Sequence, residues 1–229
     1  MEKLTLIIPA KNEPESLPQV LSSLKEINCK IIVSLKEDDL KTIDSIKNFN
    51  IRIHKQKGFG YGNSLSEAIE GCETDWFCIF NADGSFEHQD LIKMYNLISK
   101  NDFVYASRYL ENSGSEDDTL ITLIGNKIFS FLGRLLFSLK INDILYTYVM
   151  GSVSSFKKLS IKSNDFRFCV EMPIKMALLN MNYDCIASFE KKRIAGRKKV
   201  NAFKDGSLIL LEMIKLFILH RIFRQRIIQ

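Results

Sequence analysis

Over the first hundred positions, short apolar runs alternate with stretches whose apolar residues recur at helical spacing. Leu4-Thr5-Leu6-Ile7-Ile8, stopped by Pro9, reads as a buried first strand. Leu17, Val20, Leu21 and Leu24 then fall on one face of a helix. Residues 30–34 predict a second strand, a helix opens at Asp39 or Thr42 and runs to Ile46, and 51–53 predict a short third strand. A helix over 64–69, a strand over 76–80, a helix over 90–99 and a strand over 103–106 complete the series. Strands alternating with helices at this spacing predict an α/β fold, a doubly wound and mostly parallel sheet of Rossmann-like type.

The second half changes character. Residues 119–139 are apolar but carry Asn126, Lys127 and Arg134, and residues 207–223 are apolar but carry Glu212, Lys215 and His220. Neither is the clean run of roughly 18 to 20 apolar residues that a membrane-spanning helix needs. Each is either a core helix or an amphipathic helix lying in a membrane interface. The first leaves both readings open. The second sits in a segment where Lys and Arg far outnumber the acids Glu190, Asp205 and Glu212, which favours an anionic membrane surface. The expected organisation is a main domain over 1–206 and a basic, apolar C-terminal helix over 207–229.

A formal net charge of +5 on 229 residues is too weak to argue for nucleic acid, and suits a phosphate-bearing ligand or an anionic membrane equally. The five cysteines are odd in number and none forms a C-x-x-C pair, so they read as small buried residues in a reducing compartment. The opening MEKLTLIIPAKNE has only a short apolar run leading into charge; it is not a signal peptide, and a cytosolic body is expected.

Ligands of open α/β sheets bind beyond the carboxyl ends of the strands. Four loops are expected there: Pro9-Ala10-Lys11-Asn12-Glu13, Lys36-Glu37-Asp38-Asp39, Lys57-Gly58-Phe59-Gly60-Tyr61-Gly62-Asn63 and Asn81-Ala82-Asp83-Gly84-Ser85. Asp83 follows an apolar strand, which would deliver it to a pocket rim. There it is either an oxygen ligand for a hard divalent cation on a diphosphate or the start of an Asx turn. The alternating glycines 58, 60 and 62 either let a ligand approach the backbone or mark a flexible loop. They match neither the dinucleotide fingerprint nor a P-loop. Glu171, in the apolar setting Phe168-Cys169-Val170-Glu171-Met172-Pro173, is either a general base or a structural carboxylate paired with a basic neighbour.

Taken in order, Ile8-Pro9-Ala10-Lys11-Asn12-Glu13, Gly58-Phe59-Gly60-Tyr61-Gly62-Asn63, Asn81-Ala82-Asp83, Ser107-Arg108-Tyr109 and Arg193-Ile194-Ala195-Gly196-Arg197-Lys198-Lys199 resemble a family 2 glycosyltransferase of GT-A fold, in particular the dolichol-phosphate mannose synthase type. The resemblance implies that Pro9, Ala10, Asn12 and Glu13 line the base and ribose pocket. It implies that one of Glu37, Asp38 and Asp39 reaches the base, although the family's Asp-Asp-Gly-Ser is missing here. Gly58, Gly60, Gly62, Asn63, Asn81 and Ala82 would complete the nucleotide-sugar site. Asp83 would hold Mg²⁺ or Mn²⁺, with Asn81 where the family usually has a second aspartate. Arg108, Arg193, Lys198 and Lys199 would meet phosphates, since the arginine fork pairs with phosphate oxygens. Asp143 and Thr147 would shape the acceptor pocket, with Glu171 as a possible base for a hydroxyl acceptor.

The activity so implied is transfer of a sugar from a nucleotide-diphosphate donor to a polyprenyl phosphate, by a peripheral protein on the cytoplasmic face of a membrane. The alternatives are transfer to a hydroxyl of a cell-surface glycan or lipopolysaccharide, and a non-catalytic nucleotide-sugar-binding homologue.

Overall fold

The structure is a computed structural model that describes residues 1–196 and 199–222. In chain order it runs β1 (Leu4–Pro9), α1 (Leu17–Ser23), β2 (Lys30–Leu35), α2 (Leu40–Ser45), β3 (Arg52–Lys55), α3 (Tyr61–Glu70), β4 (Trp76–Ile79), α4 (Asp90–Ile98) and β5 (Phe103–Ser107). There follow β6 (Gly114–Ser115), α5 (Leu120–Phe137), β7 (Val149–Ser152), α6 (Val153–Leu159), α7 (Phe168–Leu178), β8 (Tyr183–Ala187), β9 (Phe189–Glu190) and α8 (Ala202–Ile222).

Seven strands form one sheet in the order β3-β2-β1-β4-β7-β5-β8, while β6 and β9 pair separately. All pairings in the large sheet are parallel except those of β7, which runs against β4 and β5. Strand alternation splits the apolar residues between two faces. Ile7, Phe77, Ile79 and Phe103 join α3, α6 and α7 on one side, whereas Leu6, Ile8, Cys78, Phe80 and Val104 join α1 and α4 on the other. With both faces covered, β1 and β5 are buried along almost their whole length, as an interior strand of an α/β sheet requires.

The expected fold class is observed. The antiparallel β7 was not anticipated, and it matters for the site: it begins where its parallel neighbours end. It therefore brings Tyr146, Thr147 and Tyr148 to the same sheet edge as the loops after β1, β4 and β5. The C-terminal helix starts at Ala202 rather than at 207. Its Ile209, Met213 and Leu216 lie in the main hydrophobic core, so it is packed into the domain rather than appended to it.

Candidate active site

The site is built on the sheet edge where β1, β2, β4 and β5 end. After β1 the chain turns at Asn12, which adopts a left-handed φ of 53° that asparagine tolerates better than most residues. Its amide donates to Asp39 Oδ2 at 2.7 Å. Asp39 also caps α2 by accepting from the Thr42 amide, and Thr42 Oγ1 accepts from the Glu13 amide at 3.0 Å. These contacts tie the loops after β1 and β2 together. Between them lies a cleft of about 300 Å³ lined by Asn12, Glu13, Pro14, Asp39, Lys41 and Gly196, among others. Asp39, not Asp38, faces it; Asp38 is exposed, and Glu37 is paired with Lys55 at 2.6 Å.

Asp83 sits at the end of β4. Its Oδ1 accepts from the Ser85 amide at 3.0 Å, closing an Asx turn that Gly84 completes with φ 81°. Oδ2 faces the Arg193 guanidinium at 3.4 Å. The turn and the rim position are thus compatible: the turn holds one oxygen and aims the other outward. Asn81 donates from Nδ2 to Ser85 Oγ at 3.2 Å, and Ala82 is buried in the core.

A strap over residues 191–196 crosses this edge. Its backbone is pinned by Lys191 N to Ser85 O at 2.9 Å and Ile194 N to Asp83 O at 2.8 Å. Arg193 bridges Asp83 and Asp117, the latter at 2.8 Å, and these carboxylates outweigh burial and raise its already high pKa. Beyond the strap, Lys199 pairs with Glu13, whose other oxygen accepts from Ser16 Oγ at 2.7 Å. Asp83–Arg193 and Glu13–Lys199 are therefore two ion pairs held together by the strap, and of these four residues Glu13 lines the cleft. Lys198, with Arg197, lies outside the described residues.

Three expectations are corrected. Arg108 does not face the cleft. It is buried and grips Asp143 through Nε and Nη2 at 2.7 and 2.9 Å, Glu190 at 2.9 Å and Asp118 at 3.3 Å, with its plane over the Tyr146 ring at 4.5 Å. Burial opposes the charge, but Asp143 and the other carboxylates more than restore it and push the pKa up. Arg108 and Asp143 form a structural clamp between the end of β5, the 142–146 loop and β9. Glu171 is likewise engaged: fully buried, it pairs with Lys175 at 2.7 Å and accepts from the amides of Lys162 and Ser163 at 3.0 and 2.7 Å. Burial alone would raise its pKa, yet Lys175 and these donors hold it below the usual carboxylate range, the reverse of what a base needs. Finally, the glycines serve the chain itself. A Cβ on Gly60, at φ 97°, would lie 2.2 Å from the Asn164 carbonyl oxygen, and one on Gly62 would lie 2.3 Å from that of Ser163. Gly58 is crowded by the Asn63 side chain, which itself accepts from Gln56.

The fitted loop leaves Tyr61 stacked on Phe166 at 5.0 Å and hydrogen-bonded through its hydroxyl to Thr147 Oγ1 at 2.7 Å, at the central rim. What anchors the loop is Glu67, which the motifs did not reveal. It accepts from the Lys57 and Gly58 amides at 2.9 and 3.0 Å and pairs with His54 at 3.0 Å. Burial works against its charge, but the two amides, His54 and Asn63 bring its pKa down to about 2. Asp117 and Thr42 were also missed, because only folding brings the first beside Arg193 and the second beside Glu13; Ser16, three residues from Glu13, was missed although its contact is local. All five cysteines are free.

A mostly parallel seven-stranded sheet with helices on both faces and a polar cleft at its carboxyl edge is the GT-A architecture of glycosyltransferases. Residues 5–160 match the description "Glycosyl transferase family 2", and the chain belongs to that family and is a glycosyltransferase. Glycosyltransferase AglJ of Haloferax volcanii is 22% identical over 218 residues, covering 93% of this chain and 71% of its own. An uncharacterized glycosyltransferase of Mycobacterium tuberculosis is 21% identical, covering 92% of this chain and 95% of its own. Among solved structures, glucosyl-3-phosphoglycerate synthase from Mycobacterium tuberculosis, in complex with Mn²⁺, UDP and glucosyl-3-phosphoglycerate, superposes with a TM-score of 0.70 at 13% identity, over 93% of this chain and 79% of that one. Mannosyl-3-phosphoglycerate synthase from Rubrobacter xylanophilus gives 0.69 at 12% identity, over 97% and 75%.

Proposed function

We propose that the chain moves a sugar from a nucleoside-diphosphate donor to a polyprenyl phosphate at the cytoplasmic face of a membrane. The observation that carries this reading is the pairing of the carboxylates Asp83 and Glu13 with the cations Arg193 and Lys199 where the strap crosses the sheet edge beside the cleft. Such a pairing offers oxygen ligands for a metal and positive groups for a diphosphate together. Asn12, Glu13 and Asp39 line a cleft of a size that suits a base and ribose.

A divalent cation fits the residues present. Among the described residues no cluster of three or more ligating side chains occurs, but Mg²⁺ takes one or two carboxylates and completes its shell with phosphate oxygens and water. Asp83 would hold it, with Asn81 alongside; the neighbouring synthase crystallised with Mn²⁺ and UDP supports the same choice. A cation held by Asp83 would supply positive charge to the departing diphosphate. Arg193 and Lys199 orient and stabilise the same oxygens.

In the reaction, an acceptor oxygen bonds to the anomeric carbon as the bond to the diphosphate breaks. A phosphate monoester is already ionised near neutrality and needs no base. Both carboxylates that the sequence suggests on the acceptor side, Glu171 and Asp143, are spent on Lys175 and Arg108. That favours an ionised phosphate over a sugar hydroxyl as acceptor.

The test is release of nucleoside diphosphate from a panel of nucleotide sugars, with and without Mg²⁺ or Mn²⁺ and undecaprenyl phosphate. Metal-dependent release that requires the lipid phosphate is expected. No release from any common donor, with calorimetric binding intact, would instead identify a non-catalytic homologue. Glu171→Gln should lower the melting temperature and spare turnover of folded protein. Native stability with lost turnover would point to a hydroxyl acceptor.

A further inference from the structure

Helix α5 is apolar on both sides: Phe129, Leu132 and Leu136 pack on the core beside Phe137, yet its outer face is apolar too. The face it turns to the protein carries Asn126, Ser130, Gly133 and Phe137, all buried, and the Asn126 Oδ1 atom has no hydrogen-bond partner. The outer face carries Leu120, Ile121, Ile124, Ile128, Phe131 and Leu135, exposed by between 49% at Ile124 and 72% at Leu120. A surface helix in water shows a polar outer face, and a contiguous apolar patch of this kind marks an interaction surface. Scattered exposure does not explain it, because the apolar positions recur along the whole helix.

The patch continues onto α8. The two helices run side by side in the same direction: Phe129 lies against Gly206, and the rings of Phe137 and Phe217 are 6.1 Å apart. Phe203, Leu211 and Ile222 extend the exposed apolar surface along α8.

Charge selects the occupant. On α5 the charged residues are Lys127 and Arg134, both exposed, and there is no acid. On α8, Lys204, Lys215 and Arg221 are exposed. Its acids are engaged: Glu212 is buried against Lys215 at 2.9 Å and Arg167 at 3.8 Å, and Asp205 accepts from the Asn201 amide at 2.6 Å. A second copy of this chain would set like charges against each other. An anionic lipid surface complements both the apolar rows and the basic side chains.

We infer that the outer faces of α5 and α8 form one slab that lies flat in the headgroup boundary of an anionic membrane, with α5 as the main contact. Although α5 has the length and hydropathy of a spanning helix, it stays in the plane. Ser130 Oγ accepts from the Ile144 amide, and Phe137 is fixed in the core, so only one face is free to meet lipid. The inference rests on the lipid-phosphate reading, to which it adds a place: α8 begins three residues after Lys199, so the slab brings a lipid surface beside the cleft.

The test is flotation of the full chain with phosphatidylcholine vesicles, with and without a one-quarter share of phosphatidylglycerol. Wild type should float with the anionic vesicles and much less with the neutral ones. The double variant I124E/F131E should lose about tenfold or more of that binding while its melting temperature and its calorimetric affinity for nucleotide sugar stay unchanged. K127E/R134E should lose the preference for anionic lipid. Wild type remaining at the bottom, or I124E/F131E floating as well as wild type, would overturn the slab. So would a wild-type dimer in light scattering that I124E/F131E converts to monomer. Wild type that does not float but still releases nucleoside diphosphate would reject the slab and leave the transferase reading standing; wild type that floats without turning over any donor would do the reverse.

Discussion

Two arginines at the carboxyl edge of the sheet meet carboxylates, and they differ in what water can reach. Arg108 is buried with Asp143, Asp118 and Glu190 and holds Asp143 through two parallel hydrogen bonds. Arg193 lies part-exposed on a strap, where it holds Asp117 through hydrogen bonds of 2.8 and 3.3 Å and meets Asp83 through one looser contact of 3.4 Å. The first arrangement is a fixture. Its charges have left water and can be satisfied only by one another, so removing one partner strands the rest. In the second, the Asp83 contact is exchangeable while Asp117 keeps the guanidinium in place, since an incoming ion can take either side of that loose pair at small cost. Residue type alone made both arginines candidates for phosphate; burial separates them.

That contrast is broken most forcefully at Arg108. Arg108→Met should cost about 3–5 kcal/mol of stability, read from the urea unfolding midpoint, because it leaves buried carboxylates unpaired. Arg193→Met should cost under about 1 kcal/mol in the same measurement. Equal losses would abolish the distinction. Next in size, Asp83→Asn should lower kcat/KM by about 10²–10³-fold with little change in melting temperature. Retention of activity would remove Asp83 from the donor site.

The smallest effect concerns the glycine loop. The Glu67 pKa is depressed from 4.5 to about 2 in the fold, so its contribution is complete above 4.5 and is lost as pH falls toward 2. Hydrogen-exchange protection of the Lys57 and Gly58 amides should fall across that window by the equivalent of about 1–2 kcal/mol, and Glu67→Gln should erase the pH dependence. Protection that stays constant between those pH values would mean that Glu67 does not anchor the loop.

The alternating strands and helices of the first hundred residues were readable because each element declares itself over a few neighbouring positions. The helix start at Asp39 or Thr42 and the turn at Asp83 were legible for the same local reason, though not that Asp39 is the cap or that the Asp83 turn and rim position coexist. What escaped was set by distant partners. Arg108 takes its role from Asp143 and Glu190, 35 and 82 positions away. Gly60 and Gly62 owe theirs to carbonyls of the 163–164 loop, about a hundred residues on. The four-residue β7 carries no local sign that it runs against its neighbours. Residues 119–139 leave core and interfacial readings open until the fold reveals which side of α5 the protein covers.

The strap carries a consequence for the ionic-strength response of the cleft. Because Arg193 and Lys199 already neutralise Asp83 and Glu13, a diphosphate arriving with its counter-cation trades partners with groups that are paired beforehand, and the tally of opposite-sign neighbours is nearly the same before and after. Added salt weakens both sides of such a swap alike. Nucleotide-sugar affinity at this cleft is therefore buffered against salt, whereas contact of the basic helices with a charged lipid sheet is not.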